Sequence, residues 1–197
     1  MLRIESAAYG GWDNNVRISN REVEAIVTGD VGPRIIRFAF KGQKNILAEL
    51  PGQIGGRGEK KWMIRGGHRL WIAPEAKPRS YEPDNEPIRI SVSAGRVTAL
   101  QAPGPITGIQ KRIELELDPD KNLLKLTHRL TNCGRKPFEL SPWALTVMAR
   151  RGTAIIPLPD KIPHFKRLTH KQQWSLWGYT DLGDPRWTFR PGYILFR

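Results

Sequence analysis

Apolar residues recur at every second position over several stretches of the chain, and nowhere do they hold a helical stripe for three turns. After Gly32-Pro33, Ile36, Phe38 and Phe40 alternate with Arg37 and Ala39. Ile88, Ile90 and Val92 alternate in the same way with Arg89, Ser91 and Ser93. The clearest case is a hairpin. Ile113, Leu115 and Leu117 alternate with Arg112, Glu114 and Glu116, and Asp118-Pro119-Asp120-Lys121 supplies the turn residues. The return strand sets Leu124, Leu126, His128 and Leu130 against Lys125, Thr127, Arg129 and Thr131. The pattern predicts an all-β protein, a twisted antiparallel β-sandwich with one face of each sheet buried.

Two irregularities interrupt the alternation. Phe138 and Leu140 hold an even phase, whereas Trp143, Leu145 and Val147 hold an odd one, and the slip falls at Pro142. Proline cannot donate to a ladder, so either a bulge or a sheet edge accounts for it. The second irregularity is Ala76–Pro87, which has three prolines and no alternation and is expected to be a long loop at the rim of a site. No internal repeat or second core is evident, so residues 1–197 are expected to form a single domain.

A hydrophobic content of 39% with seven tryptophans excludes a disordered chain. Met1–Ser6 lacks the apolar run of a signal peptide, and no later stretch approaches a membrane span. Cys133 has no second cysteine to pair with, so the expectation is a cytoplasmic protein without a membrane partner. The net charge of +13 raises the question of nucleic acid. Residues 1–60 carry nine bases and seven acids, 61–100 seven and four, 101–160 nine and six, and 161–197 seven and two. The tail holds the densest excess, but the absence of a basic run or a recognition motif argues against a nucleic-acid partner.

The stretch Lys61–Glu75 concentrates the candidate chemistry. Gly66-Gly67 permits a tight turn or a close backbone approach, and around it lie Arg65, His68, Arg69, Trp62, Trp71 and Glu75. Indole faces stack on the apolar faces of a pyranose, and charged groups hydrogen-bond its hydroxyls. The alternative is a tight hairpin with core tryptophans and solvated charges. His128 is in phase with its leucine neighbours and is expected to point inward, as a core histidine or a catalytic one. Trp174, Trp177 and Tyr179 are candidates for a sugar cleft or for core. His164, His170 and Cys133 lack metal-ligand spacing, and no phosphate loop or dinucleotide fingerprint is present, so neither metal nor cofactor is expected.

The order of these features resembles the galactose-mutarotase-like (aldose 1-epimerase-like) superfamily, in an uncharacterised bacterial branch. Val27–Ile36 followed by Lys41–Leu47 is similar to the opening of such domains, and Ile64-Arg65-Gly66-Gly67 to the Arg-Gly-Gly segment of its hexose-6-phosphate epimerases. Leu126–Gly134 and Phe138–Trp143 resemble the strand-Asn-x-Gly-strand unit that leads to the active site. The resemblance implies a mutarotase-like supersandwich with Arg65 facing the ligand. It also implies a histidine acid within the segment matching Ser141–Val147 and a glutamate base near the C-terminus. Neither is found here, and the chain stops at Arg197 within a strand-like segment. The domain is therefore expected to be incomplete at its C-terminus and to lack its last strands.

The leading expectation is a carbohydrate-binding protein, with an aldose or sugar phosphate as partner and with aldose 1-epimerase-like isomerase activity left open. Mutarotation needs a base and an acid, and His68 and Glu75 are the only close pair to propose. Arg65, Arg69, Trp71, Trp143 and Trp177 form the candidate ligand-binding set, with the first three and the catalytic pair sharing one surface. The alternative is a polyanion- or nucleic-acid-binding protein with a basic surface.

Overall fold

The computed structural model describes residues Met1–Arg197. The protein is all-β and antiparallel, and its only helical elements are single 3-10 turns at Arg79–Tyr81 and His164–Lys166. No helix is long and apolar enough to cross a membrane. The chain divides into two compact units, Met1–Ala149 and Arg150–Arg197, where one domain over 1–197 was expected. The tail after Pro157-Leu158-Pro159 is richer in Pro, Trp and bases, but no Gly/Ser-rich linker marks a boundary there.

The first unit has ten strands. They are β1 (Arg3–Tyr9), β2 (Trp12–Ser19), β3 (Val23–Thr28), β4 (Arg34–Phe40), β5 (Gly67–Ala73), β6 (Arg89–Ser93), β7 (Arg96–Leu100), β8 (Ile109–Leu117), β9 (Leu124–Asn132) and β10 (Ser141–Val147). One sheet has the order β1-β2-β3-β4-β5-β10 and the other β6-β7-β8-β9. Ile18, Val27, Ile35 and Leu70 from the first pack with Val97, Ile113 and Leu115 from the second, which makes the unit an antiparallel β-sandwich. A smaller cluster of Trp12, Ile26, Val31 and Ile36, joined by Ile54, covers part of the outer face of the six-stranded sheet.

The predicted hairpin forms β8 and β9, with Ile113 opposite His128 and Leu115 opposite Leu126. Asp118 closes the turn by accepting from the backbone N–H groups of Asp120 and Lys121, both at 2.9 Å. Alternation fails in β4. Ile26 pairs with Arg37 and Val27 with Ile35, so Ile36 is an extra residue in a bulge. Ile35 and Phe38 therefore face the core while Ile36 faces outward, instead of Ile36, Phe38 and Phe40 sharing one face. At Pro142 the sheet edge, and not a bulge, is what occurs. β10 pairs with β5 in unbroken register from Ser141↔Ala73 to Val147↔Gly67, and β5 is its only strand neighbour.

The second unit is a three-stranded antiparallel sheet of β11 (Ala154–Pro157), β12 (Trp187–Arg190) and β13 (Tyr193–Phe196), ordered β11-β13-β12. Ile194 is the one hydrophobic residue buried in it.

Gly66 and Gly67 have φ of 93° and 72°, and a Cβ at either would overlap a backbone carbonyl oxygen, that of Ala48 or Ile35 respectively. Their freedom is used for backbone against backbone at the entry to β5. Gly67→Ala is expected to cost about 1–3 kcal/mol through backbone strain alone, with the overlap adding to it. A lowered urea midpoint checks this, and an unchanged midpoint would refute it.

Candidate functional site

β5 decides how the candidate residues divide. Successive side chains of a strand point to opposite faces. His68 and Leu70 face the second sheet, where Leu70 is core and His68 meets His128 of β9. Arg69 and Trp71 face away from it, toward Trp62. His68 therefore does not share a surface with Arg69 and Trp71, contrary to the expectation from sequence. Glu75 lies beyond the end of β5, exposed, and accepts from the Tyr81 hydroxyl. The proposed His68–Glu75 acid–base pair is thus not assembled.

Both arginines of the Arg-Gly-Gly region are committed internally. Arg65 is 2% exposed, donates to Glu59, to the Gln53 carbonyl and to Asn85 Oδ1, and lies over the Trp12 ring. Its φ of 53° is a left-handed conformation held by these contacts. Arg69, also 2% exposed, donates to the Met63 carbonyl at 3.1 Å and to Asp84 Oδ2 at 2.7 Å. Arg34 of β4 is opposite Arg69 in register and donates to the same Asp84 Oδ2 at 3.2 Å. Burial on its own raises the Asp84 carboxyl, yet Arg34 and Arg69, helped by Lys111, hold it below the ordinary carboxylate value. Burial lowers the Arg69 guanidinium, and Asp84 opposes that shift.

The surface of this outer face is aromatic. Trp71 packs edge-on against Trp62, Tyr81 and Trp143, with ring centroids 5.4, 5.2 and 5.5 Å away. Arg69 lies under Trp62 and Trp71, 5.1 and 5.4 Å from their centroids. Trp71 is buried, whereas Trp62, Tyr81 and Trp143 are half-buried and present ring surface. The indole N–H groups of Trp62 and Trp71 have no acceptor in the protein. Two residues along β5 and β10 from the Trp71–Trp143 pair, Ala73 and Ser141 continue the same face. There an open cleft of about 630 Å³ is lined by Pro74, Arg79, Phe138, Glu139, Leu140 and Ser141. Arg79 lies over Phe138, and Lys77 over Tyr81.

The loop expected at the rim, Ala76–Pro87, supplies this site and is anchored by buried polar residues. Glu82, 1% exposed, accepts from the N–H and hydroxyl of Thr107, and Asn85 donates to the carbonyls of Glu59 and Lys61. Trp143 joins the aromatic group as expected. Trp177 belongs to the second unit, where it is exposed. Tyr81, Asp84 and Arg34 were not singled out by sequence, and Trp62 was named only among the residues around Gly66-Gly67. The loop offers Glu82, Asp84 and Glu86 alike, and nothing local marks Asp84 among them.

On the inner face, His68 Nε2 and His128 Nε2 are 2.8 Å apart, and His68 Nδ1 is 2.8 Å from Thr146 Oγ1. One imidazole must donate and the other accept, so at least the accepting ring is neutral. Burial, and then the neighbouring His128, lowers His68 from 6.5 to about 4, and burial lowers His128. No group of three or more His, Cys, Asp or Glu side chains is placed to hold a metal ion.

Two outcomes follow from these contacts. Asp84→Asn leaves two buried guanidinium groups without a counter-charge and is expected to cost about 3–5 kcal/mol, measured by urea unfolding. Separately, folding holds both histidine pKa values down, so on acidification the unfolded chain takes up protons that the folded chain refuses. The stability they contribute is complete above pH 6.5 and declines as the pH falls toward about 4. A thermal-melting series should show that decline, and His68→Gln should flatten it. An equally steep decline in the variant would refute the assignment.

No family model matches the chain, and no curated protein matches it. Among solved structures it is similar to a TPR-domain containing protein from Parabacteroides distasonis, with 20% identity and a TM-score of 0.46. The similarity covers 74% of this chain and 24% of that one, so the chain spans about a quarter of that protein's length.

Proposed function

We propose that the protein is a carbohydrate-binding protein of the galactose-mutarotase-like type, which takes its sugar on the outer face of the six-stranded sheet. The observation that carries this reading is the Trp62–Trp71–Tyr81–Trp143 cluster, with the cleft lined by Pro74 and Ser141 next along β5 and β10. Half-exposed rings offer stacking surfaces for a pyranose. Glu75 can accept from hydroxyls at the rim, while Arg79 and Lys77 are the nearby cations left to meet a phosphate, because Arg65 and Arg69 are spent on internal contacts. The segment resemblance around Gly66-Gly67 and Asn132–Gly134 also supports the reading. A reducing compartment, the cytoplasm, suits the exposed thiol of Cys133.

The reading is of recognition, without turnover. Aldose mutarotation needs a proton removed from the anomeric hydroxyl and one delivered to the ring oxygen, and a lost acid or base costs about 10²–10⁴-fold in rate. His68 faces the opposite side of β5 from the aromatic cluster, so it is not offered to a sugar bound there.

The test is calorimetry and tryptophan fluorescence with a panel of aldoses and aldose phosphates, alongside anomeric exchange by NMR. Millimolar or tighter binding is expected for at least one of them. Trp143→Ala should weaken it about tenfold, the scale of one stacking contact, and His68→Gln should leave it unchanged. No exchange above background is expected. Absence of binding across the panel, or binding indifferent to Trp143→Ala, would reject the site.

A further inference from the structure

We propose that the Arg150–Arg197 unit is a docking surface for single-stranded nucleic acid, built from an aromatic row on one face of its sheet and a surplus of exposed bases. This surface is independent of the sugar site.

The register of the sheet creates the row. Trp187 and Phe189 are two apart on β12 and share a face. Phe196 of β13 is opposite Trp187 and joins them. Trp174, from the segment before β12, stacks on Phe189 with centroids 6.0 Å apart and planes at 24°. Phe189 is 6.1 Å from Trp187, and Trp187 is 4.4 Å from Phe196, where Arg186 lies over the ring and closes that end. The other end is open, with Trp174 44% and Phe189 45% exposed. Four rings drawn from positions 174 to 196 form one continuous row. No contiguous sequence motif encodes it, so it is not visible before folding.

Charge selects the partner. The unit carries nine bases (Arg150, Arg151, Lys161, Lys166, Arg167, Lys171, Arg186, Arg190 and Arg197) and three acids (Asp160, Asp181 and Asp184), a surplus of six. Only Arg186 is in an ion pair, with Asp184. Lys161, Lys166, Arg167, Lys171 and Arg190 are exposed and free of carboxylate partners. A simple polyanion engages the bases and leaves the rings bare. A neutral glycan engages the rings and leaves the charge unmatched. A nucleic-acid strand with unpaired bases uses both, by stacking on the rings and neutralising the cations with phosphate. A duplex hides its base faces within its own stack, so the surface favours single strands.

The experiment uses the full chain and a fluorescein-labelled oligothymidylate 20-mer, read by anisotropy at 50 and 200 mM salt, with tryptophan fluorescence recorded in parallel. Binding that weakens steeply with salt and quenches tryptophan is expected, with the matching duplex bound more weakly. Trp174→Ala combined with Phe189→Ala keeps the charge and should lower affinity at least tenfold, since stacking is worth about 1–3 kcal/mol per base. Trp174→Phe retains a ring and should keep most of the affinity, which guards against a misfolded double variant. Lys166→Gln with Arg167→Gln should reduce the slope of log affinity against log salt by about two contacts' worth. The proposal is overturned by failure to bind at 50 mM salt. It is also overturned if heparin, which has no bases, binds as well and the double variant binds like the parent. Sedimentation showing this face occupied by a second copy, with Trp174→Ala releasing monomer, would overturn it as well.

Discussion

One carboxylate, Asp84, is the only counter-charge for two almost fully buried guanidinium groups, and much of the first unit is arranged around keeping it in place. Arg34 on β4 and Arg69 on β5 converge on its Oδ2 at 3.2 and 2.7 Å. Its backbone carbonyl accepts from the Gly32 N–H at 2.9 Å, so the same residue pins the Ala76–Pro87 loop to the turn before β4. Neighbouring bonds finish the attachment, Gly58 N–H to the Asn85 carbonyl and Ile88 N–H to the Gly29 carbonyl. Removing one partner of a buried ion pair strands the others, so the group is held as a unit. Arg69 carries the consequence outward, because Trp62 and Trp71 rest on it and Tyr81 comes from the loop that Asp84 anchors.

This division of labour reverses the simplest reading of an arginine-rich, glycine-marked segment. Arg65 and Arg69 hold the scaffold, and Gly66-Gly67 accommodates the carbonyls of Ala48 and Ile35. What remains for a ligand is the aromatic surface that they support. Rings locked by packing on a rigid sheet are suited to recognition, since little side-chain entropy is lost when a partner settles on them.

How far the sequence carries depends on the range of the interactions concerned. The β8–β9 hairpin was fully legible, since alternation and an Asp-Pro-Asp turn are local. The bulge at Ile36 was not, because alternation counts residues and cannot see that β3 has one fewer opposite it. Pro142 narrowed the reading to a bulge or an edge, and only the absence of a second neighbour for β10 distinguishes them. Of the site, Trp71 and Trp143 were legible as aromatics near a strand. Asp84, Glu82 and Asn85 were not, because a polar residue in a loop carries no mark of burial until its long-range partners are known. His128 was read as inward-facing, but its partner, His68, lies 60 residues away.

The separation of His68 from the outer aromatic face is not a detail that a small movement would undo. Turning His68 toward Trp71 and Trp143 requires β5 to slip by one residue against β4 and β10, and such a slip flips every side chain on the strand. Leu70 would leave the sandwich core and Arg69 would enter it, losing Asp84 and both tryptophan faces. Rotating the side chain alone fails as well, because its ring is held from two elements, by Thr146 on β10 and His128 on β9. A buried ring hydrogen-bonded to two fixed partners, and disfavoured in its charged form, is a poor source of protons for a reaction on the far side of a sheet. The chemistry that the alternation of β5 leaves to the outer face is therefore stacking and hydrogen bonding, as the proposed recognition requires, and not proton transfer by His68.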